Sequence, residues 1–412
     1  MKYLLTLMAI FAMVSCSDDD NNDNDMPTPA RHTIIIYMAA ENSLSSLVQD
    51  DINEITTASN SVPKDVNIVA FIDPSANVNN GMPYIASFKN GKMTTDKALA
   101  MSEDAYACDP SLIAKTLNNI IQRYKAESYS LILWGHASGW LIENDTIPTQ
   151  VAGIQMAYGV DNGKNTYSGR DSDRGKWINI PTLASTLEST GIKFDIIMAD
   201  CCCFQSMETA YEMKDVADYI IGSPAEIPGA GAPYHLLLPI MAKNIDTEQK
   251  CISMTEQYYQ FYVNRLPAPM SVIKTNKMQH MAEMTRALWH TIKDKEIVDN
   301  GCTYYFMNNY MPIFYDAQEI AAANCDNPTV MDDWLKALDE AIIFHKSSRE
   351  WDTLLSMMGF STFSPNDEKT CCVSMYLPLA AYSKTQQSRL TNQVMRYKWG
   401  MAVFGNLQKS NN

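Results

Sequence analysis

The sequence predicts an α/β fold in which a mainly parallel central sheet lies between layers of helices. Two observations carry that expectation. Residues 33–38, 66–72, 129–134, 194–199 and 219–223 are short, nearly continuous apolar runs, as expected of strands buried on both faces. Between them lie amphipathic helical patterns, and strands alternating with helices imply a parallel sheet. With 412 residues, 46% hydrophobic and 19% charged, the chain can bury at least one large core.

The elements follow in order. The first residues, MKYLLTLMAIFAMVSC, combine Lys2, an apolar stretch from Leu4 to Val14 and a small Ser15 before Cys16. That is the pattern of a secretion signal, too short to span a bilayer. Its ending resembles a bacterial lipobox with Met13 in the place of Leu, so Cys16 is the expected lipidation site; an ordinary cleaved signal is the alternative. The following SDDDNNDNDMPTPA lacks apolar residues and is expected to be a flexible tether. Within it, Ser17, Asp18, Asp19 and Asp20 resemble the acidic export signal of some Bacteroidetes lipoproteins. A solvated spacer is the other reading. The expected location is the outer membrane, facing the cell exterior, with an N-terminal lipid as the membrane contact.

In the helical segment 43–58, Leu44, Leu47, Val48, Ile52 and Ile55 fall at helical spacing, and 109–124 repeats the pattern with Leu112, Ile113, Leu117, Ile120 and Ile121. Residues 83–93 read as a hairpin, because PYIASF is followed by Asn90-Gly91, a preferred two-residue turn. From 158 to 176 the chain is polar and charged with little periodicity, a loop signal. Beyond Cys251 helical patterns dominate, notably 277–292 and 330–344, before an apolar run at 372–377. The expected organisation is a signal (1–15), a tether (16–31), a main domain (32–250) and a C-terminal subdomain (251–412) packed on it.

Composition excludes some functions. A formal net charge of −15 disfavours nucleic acid, whose phosphates are held by Lys and Arg, and lets an acidic pocket attract a cationic substrate. No glycine-rich phosphate loop follows a strand, which sets a nucleotide-binding protein aside. Of the ten cysteines, Cys201, Cys202 and Cys203 are adjacent, as are Cys371 and Cys372, which is not the spacing of a disulfide framework. No CxxC or Cys/His ligand spacing appears, so neither a metal nor another cofactor is expected.

In an open parallel sheet, ligands bind where strands reach their carboxyl edge. Two such ends carry reactive side chains: YSLILW leads to Gly135-His136, and FDIIMA leads to Asp200 and the cysteine triplet. An imidazole suits proton transfer to and from a thiol nucleophile. Alone, this leaves other readings open, because a buried Cys is commonly a small hydrophobe and a lone His is commonly structural.

LILWGHASGW resembles the strand-to-histidine motif of the clostripain family, and FDIIMADCCCFQSMETAYEM resembles its segment ending in Asp-Ala-Cys-Leu-Met. Phe194, Asp195 and Asp200 before the triplet, with Glu208, Ala210 and Tyr211 after it, put the family nucleophile on Cys202. TIIIYMAAENSL, DYIIGSPAEIPGAGAPY and the YLP near Leu377 also have counterparts, so the resemblance covers most of the chain. It implies a caspase-like three-layer sandwich and a cysteine endopeptidase that cleaves after Arg or Lys through an acyl-enzyme. Peptides or proteins are then the substrates, with Cys202 as nucleophile, His136 managing the proton and the amides of Cys202 and Ala137 as oxyanion donors. Asp200 corresponds to an acid at the base of the primary specificity pocket.

Some relatives cut themselves between the histidine and the cysteine. The equivalent loop contains Lys164, Arg170, Arg174 and Lys176, and self-cleavage is expected at Arg170 or Arg174. The product would be a monomer, or two associated fragments after the cut. Calcium dependence occurs in some relatives, although no EF-hand-like loop indicates it here.

This sequence departs from the family in three places. Ala137 replaces the usual Gly, which would strain a positive φ there. Cys201 replaces Ala, while Cys203 and Phe204 replace Leu-Met. Ala230 stands where a second pocket acid is common, with Glu226 a nearby substitute. These departures motivate an alternative, a catalytically weak or inactive surface lipoprotein that binds peptides through the same fold.

Overall fold

In the computed structural model, residues 29–75, 81–142, 157–163, 175–308, 311–348 and 370–405 are described. The first strand, β1 (Ala30–Ala39), shows why the apolar runs are uniform rather than alternating. Ile34, Ile36 and Met38 pack into one core while Ile35, Tyr37 and Ala39 pack into another, all of them buried. Successive strand side chains point to opposite faces, so a sheet covered on both sides demands apolar residues at every position.

The chain continues through α1 (Val48–Ala58), β2 (Val66–Asp73) and the hairpin β3 (Tyr84–Lys89) and β4 (Lys92–Thr95). Asn90 and Gly91 both take positive φ, 51° and 69°, as this tight turn requires. Next come α2 (Pro110–Arg123) and β5 (Ala126–Trp134). Helix α2 starts where Asp109 accepts from the Ser111 and Leu112 amides, with Pro110 in the first turn. A two-stranded ribbon, β6 (Tyr158–Asp161) and β7 (Lys176–Ile178), precedes α3 (Ile180–Glu188), β8 (Phe194–Asp200), α4 (Met207–Glu212) and β9 (Ala217–Gly222). Then follow α5 (Tyr234–Met241), α6 (Thr247–Tyr262), β10 (Met270–Lys274) and α7 (Met278–Ile292). The remainder holds the small pair β11 (Met307–Asn308) and β12 (Met311–Pro312), helices α8 (Ala317–Asn324) and α9 (Pro328–Ala341), β13 (Ile342–Lys346), α10 (Lys384–Val394) and α11 (Lys398–Phe404).

Among the described residues the main sheet has nine strands in the order β13-β10-β9-β8-β5-β1-β2-β3-β4. Its centre, β9-β8-β5-β1-β2, is parallel, and antiparallel strands close both edges. Helices α1, α5 and α6 cover one face through Ile52, Ile55, Leu237, Leu238, Met254 and Tyr258. The other face carries α2, α3, α4, α7, α9 and the C-terminal helices, through Leu117, Leu183, Met207, Leu288, Trp334 and Trp399. This is the expected mixed α/β sandwich around a mainly parallel sheet.

Two local expectations are corrected. The helical pattern read over 330–344 stops at Ala341, and Ile342–Lys346 instead pairs with β10. Ile342, Ile343 and Phe344 suit a strand at a sheet edge, and pairing there outweighs the helical periodicity. The segment 158–176, read as a loop throughout, has ordered ends: Tyr158 pairs with Ile178 and Asp161 with Lys176. The strands β10 and β13, beyond residue 250, join the same sheet as β1–β5, β8 and β9.

Candidate active site

The chain leaves β1 toward β2 on one side and later enters β5 on the other, so the strand order reverses between β1 and β5. Loops diverge at such a switch point and leave a crevice at the carboxyl ends. His136 and Cys202 both lie at that edge. Trp134 on β5 is the parallel register partner of Asp200 on β8, and each reactive residue follows its partner by two positions. The Gly135 amide donates to the Asp200 carbonyl at 3.3 Å, extending the pairing one step further.

Beyond β5 the backbone turns at Gly135, whose φ is +142°. A Cβ there would meet the Ala39 carbonyl at 3.2 Å, so the glycine allows the close approach of β1. Ala137 has no positive φ, and the strain considered for a non-glycine residue at that position does not arise. Ala137 forms a bridge with Tyr158, flanked by Ser138 donating to the Ala157 carbonyl and Gly159 to the His136 carbonyl, which fixes the histidine loop against the β6–β7 ribbon. The half-buried His136 meets the Ser43 hydroxyl through Nε2 at 2.8 Å. Sequence reasoning misses this role of Ser43, which it places at the start of a helix over 43–58; residues 43–47 instead form turns and α1 begins only at Val48, which lets the Ser43 hydroxyl meet His136.

Beyond β8 the chain makes a tight turn in which Cys203 adopts φ +56°. For a non-glycine residue the left-handed region costs about 1–2 kcal/mol, so its surroundings must hold it there. They do so through the Cys203 amide, which donates to Ala225 at 2.8 Å, and the Gln205 amide, which donates to Ser223 at 3.0 Å. From the other side Gly139 (φ +67°) lies so near the Cys203 carbonyl that a Cβ would come within 2.6 Å of it. Cys201 and Cys203 are buried, whereas Cys202 is intermediate, the least buried residue of the triplet. The Ile227 amide donates to Cys202 Sγ at 3.4 Å.

Electrostatically this edge is acidic. Burial pushes the Cys202 thiol up to about 12, with the negative charges of Glu226 and then Asp200 adding to the effect. Asp200 is only 4% exposed and burial raises it to about 6. The Tyr234 hydroxyl donates to its Oδ2 at 2.6 Å, and Gly231 covers it so closely that a Cβ would stand 3.0 Å from the same oxygen. Asp51, which accepts from Trp134 Nε1 at 2.8 Å, is raised to about 8, first by burial and then by Asp200. Glu226 is half-buried and Ala230 is exposed. Glu208 is fully buried and accepts from the Tyr376 amide at 2.8 Å, joining the residues after the triplet to the YLP segment.

A second acidic group, unforeseen in the sequence, gathers where β1 and β2 end and the chain approaches α2. Glu41, Asp73 and Asp104 bring one carboxylate oxygen each within 4.8 Å of one another and could hold a metal ion. Burial, with Asp161 and Asp104 adding negative charge, raises Glu41 to about 9. Arg170, Arg174 and Cys16 lie outside the described residues.

A peptidase-type thiol and an imidazole on neighbouring strand ends of a caspase-like sheet define a cysteine peptidase. Residues 36–324 match the Clostripain family, and the chain belongs to that family. A comparison with curated protein sequences finds no match. Three solved structures share the fold. An inactive zymogen C11 protease from Parabacteroides distasonis is 22% identical with a TM-score of 0.74, covering 92% of this chain and 99% of that one. A secreted C11 cysteine protease from Bacteroides thetaiotaomicron, iotapain, is 18% identical with a TM-score of 0.71, covering 92% and 100%. A secreted C11 protease from the same organism, in complex with an irreversible peptide inhibitor, is 23% identical with a TM-score of 0.67, covering 90% and 98%. Among the described residues no helix is long and apolar enough to cross a membrane.

Proposed function

We propose that this cysteine peptidase hydrolyses peptide bonds through Cys202 and His136, after Arg or Lys. The observation that carries the reading is the β5–β8 register, which gives both side chains the same offset from paired residues. In this mechanism the substrate carbonyl enters the crevice and Cys202 attacks its carbon while the thiol proton passes to His136. With Ser43 engaging Nε2, the proton exchanges at Nδ1. The amides of Cys202 and Ala137 receive the oxyanion. Collapse expels the amine, which takes the proton from His136, and water then hydrolyses the acyl-enzyme with His136 as base.

Preference for a basic residue is supported by the charges acting on Cys202, which are those of Glu226 and Asp200. A thiol held near 12 is neutral at pH 7, so a cationic side chain arriving beside these carboxylates would favour both binding and the thiolate. Self-processing in the 158–176 segment, at Arg170 or Arg174, is supported by the ribbon that starts beside His136. Export as a lipoprotein through Cys16 rests on the leader sequence. A panel of peptides differing in the residue before the scissile bond tests the reading. Turnover after Arg or Lys that vanishes in Cys202→Ala is expected; turnover undiminished in that variant would refute it. Mass spectrometry of both proteins tests self-processing, which fails if the wild type stays intact.

A further inference from the structure

We infer that the Tyr234 hydroxyl makes the peptidase select lysine over arginine before the scissile bond. The inference rests on the proposed place of Asp200 beneath a basic substrate side chain. The two oxygens of that carboxylate differ. Oδ2 accepts from the Tyr234 hydroxyl at 2.6 Å, and the Ala232 amide also favours the charged form. Oδ1 accepts no hydrogen bond, although Asp200 is only 4% exposed. A buried carboxylate oxygen without a donor is costly, so one acceptor stands ready for a donor that the substrate brings.

One open oxygen discriminates between the two cations. A guanidinium pairs best with a carboxylate through two parallel N–H bonds, one to each oxygen, whereas an ammonium is a compact point charge that a single oxygen serves. With Tyr234 on Oδ2, the second arm of a guanidinium has no oxygen of Asp200 to meet. Ala230 offers no carboxylate to the remaining N–H groups. Lysine brings fewer donors than arginine, so fewer are left unpaired when the side chain is desolvated.

The packing around Tyr234 holds the hydroxyl in place. Tyr234 is 0% exposed, opens α5 and belongs to the core that also contains Trp134, Leu237 and Leu238. Its amide donates to the Ala232 carbonyl at 2.8 Å, and the Tyr262 hydroxyl donates to the Gly231 carbonyl at 2.6 Å, which fixes the loop leading into the helix. Gly231 brings its backbone so near that a Cβ would stand 3.0 Å from Asp200 Oδ2, and that oxygen is therefore closed by the loop as well as by the hydroxyl. The proposed cut at Arg170 or Arg174 is intramolecular, and its high effective concentration offsets a preference of about tenfold.

The test measures kcat/KM of the full chain, wild type and Tyr234→Phe, on three peptides that differ only in carrying Lys, Arg or norleucine before the scissile bond. The wild type should favour Lys over Arg about tenfold or more, the equivalent of one hydrogen bond to a charged group. Tyr234→Phe releases Oδ2 and should bring that ratio down about tenfold. The ratio is the readout because loss of the hydroxyl also raises the Asp200 carboxyl, which weakens both basic substrates alike. Arg cleaved as well as Lys by the wild type, or an unchanged ratio in the folded variant, would overturn the inference. Should the variant show no cooperative melting, the wild-type ratio decides alone. Norleucine cleaved as fast as the better basic peptide would overturn the underlying preference for basic residues, whereas both basic peptides standing above norleucine without a Lys preference would overturn this inference alone.

Discussion

Trp134 and Asp200 are register partners across β5 and β8, and two residues beyond each stand His136 and Cys202. The pairing brings His136 and Cys202 to the carboxyl ends of adjacent strands, although 66 positions separate them in the chain.

The hydroxyl of Ser43 meets His136 Nε2 through a hydrogen bond. Its removal in Ser43→Ala should lower kcat about five- to tenfold, the equivalent of one hydrogen bond, with KM little changed. Steady-state kinetics on a peptide ending in Arg would check it, and an effect confined to KM would contradict a role in orienting the histidine.

Glu226 raises the Cys202 thiol by like-charge repulsion, so Glu226→Gln should lower the thiol's pKa. At a fixed pH below that value more thiolate is present, and iodoacetamide should react about three- to tenfold faster, since tenfold corresponds to one pKa unit. The alkylation profile should shift to lower pH. Turnover of Arg peptides should fall in the same variant, because the attracting carboxylate is gone.

Asp200 sits above its ordinary range, at about 6. The native state therefore holds its proton more tightly than the unfolded chain does. Its contribution to stability is present below the usual carboxylate value, near 3.8, and is lost as pH rises through 6. Chemical denaturation from pH 4 to 7 should show a shallower decline for Asp200→Asn than for wild type. Against Arg peptides, kcat/KM in the wild type should rise through pH 6 as the carboxylate ionises, and the variant should lose about 10- to 100-fold at pH 7.5.

Gly139 combines φ +67° with contacts that leave no room for a methyl group, 2.6 Å from the Cys203 carbonyl and 2.9 Å from the Phe314 ring. Gly139→Ala should destabilise by about 1–3 kcal/mol through overpacking and backbone strain. Thermal unfolding would measure the loss. Activity should fall further than stability alone explains, because the displaced carbonyl belongs to the turn that presents Cys202.

Much of this was legible in the sequence, because it rests on local regularities. The apolar runs became β1, β2, β5, β8 and β9, the pattern at 109–124 became α2, and Asn90-Gly91 made the expected hairpin turn. The motifs around His136 and Cys202 named the family, because their order and spacing repeat a known pattern. Other features had no local signal. Ile342–Lys346 became a strand because β10 offers it an unpaired edge, and β10 itself escaped notice because five residues are too few for a periodicity to assert itself. The backbone strain expected at Ala137 proved to lie at Cys203, where contacts from Ala225 and Gly139 hold the turn. The gathering of Glu41, Asp73, Asp104 and Asp161 depends on strand order and loop packing, which bring distant carboxylates together without leaving any spacing to read. The residue types and element types were thus written in the sequence, whereas the company each residue keeps at the carboxyl edge was decided by how the sheet is wound.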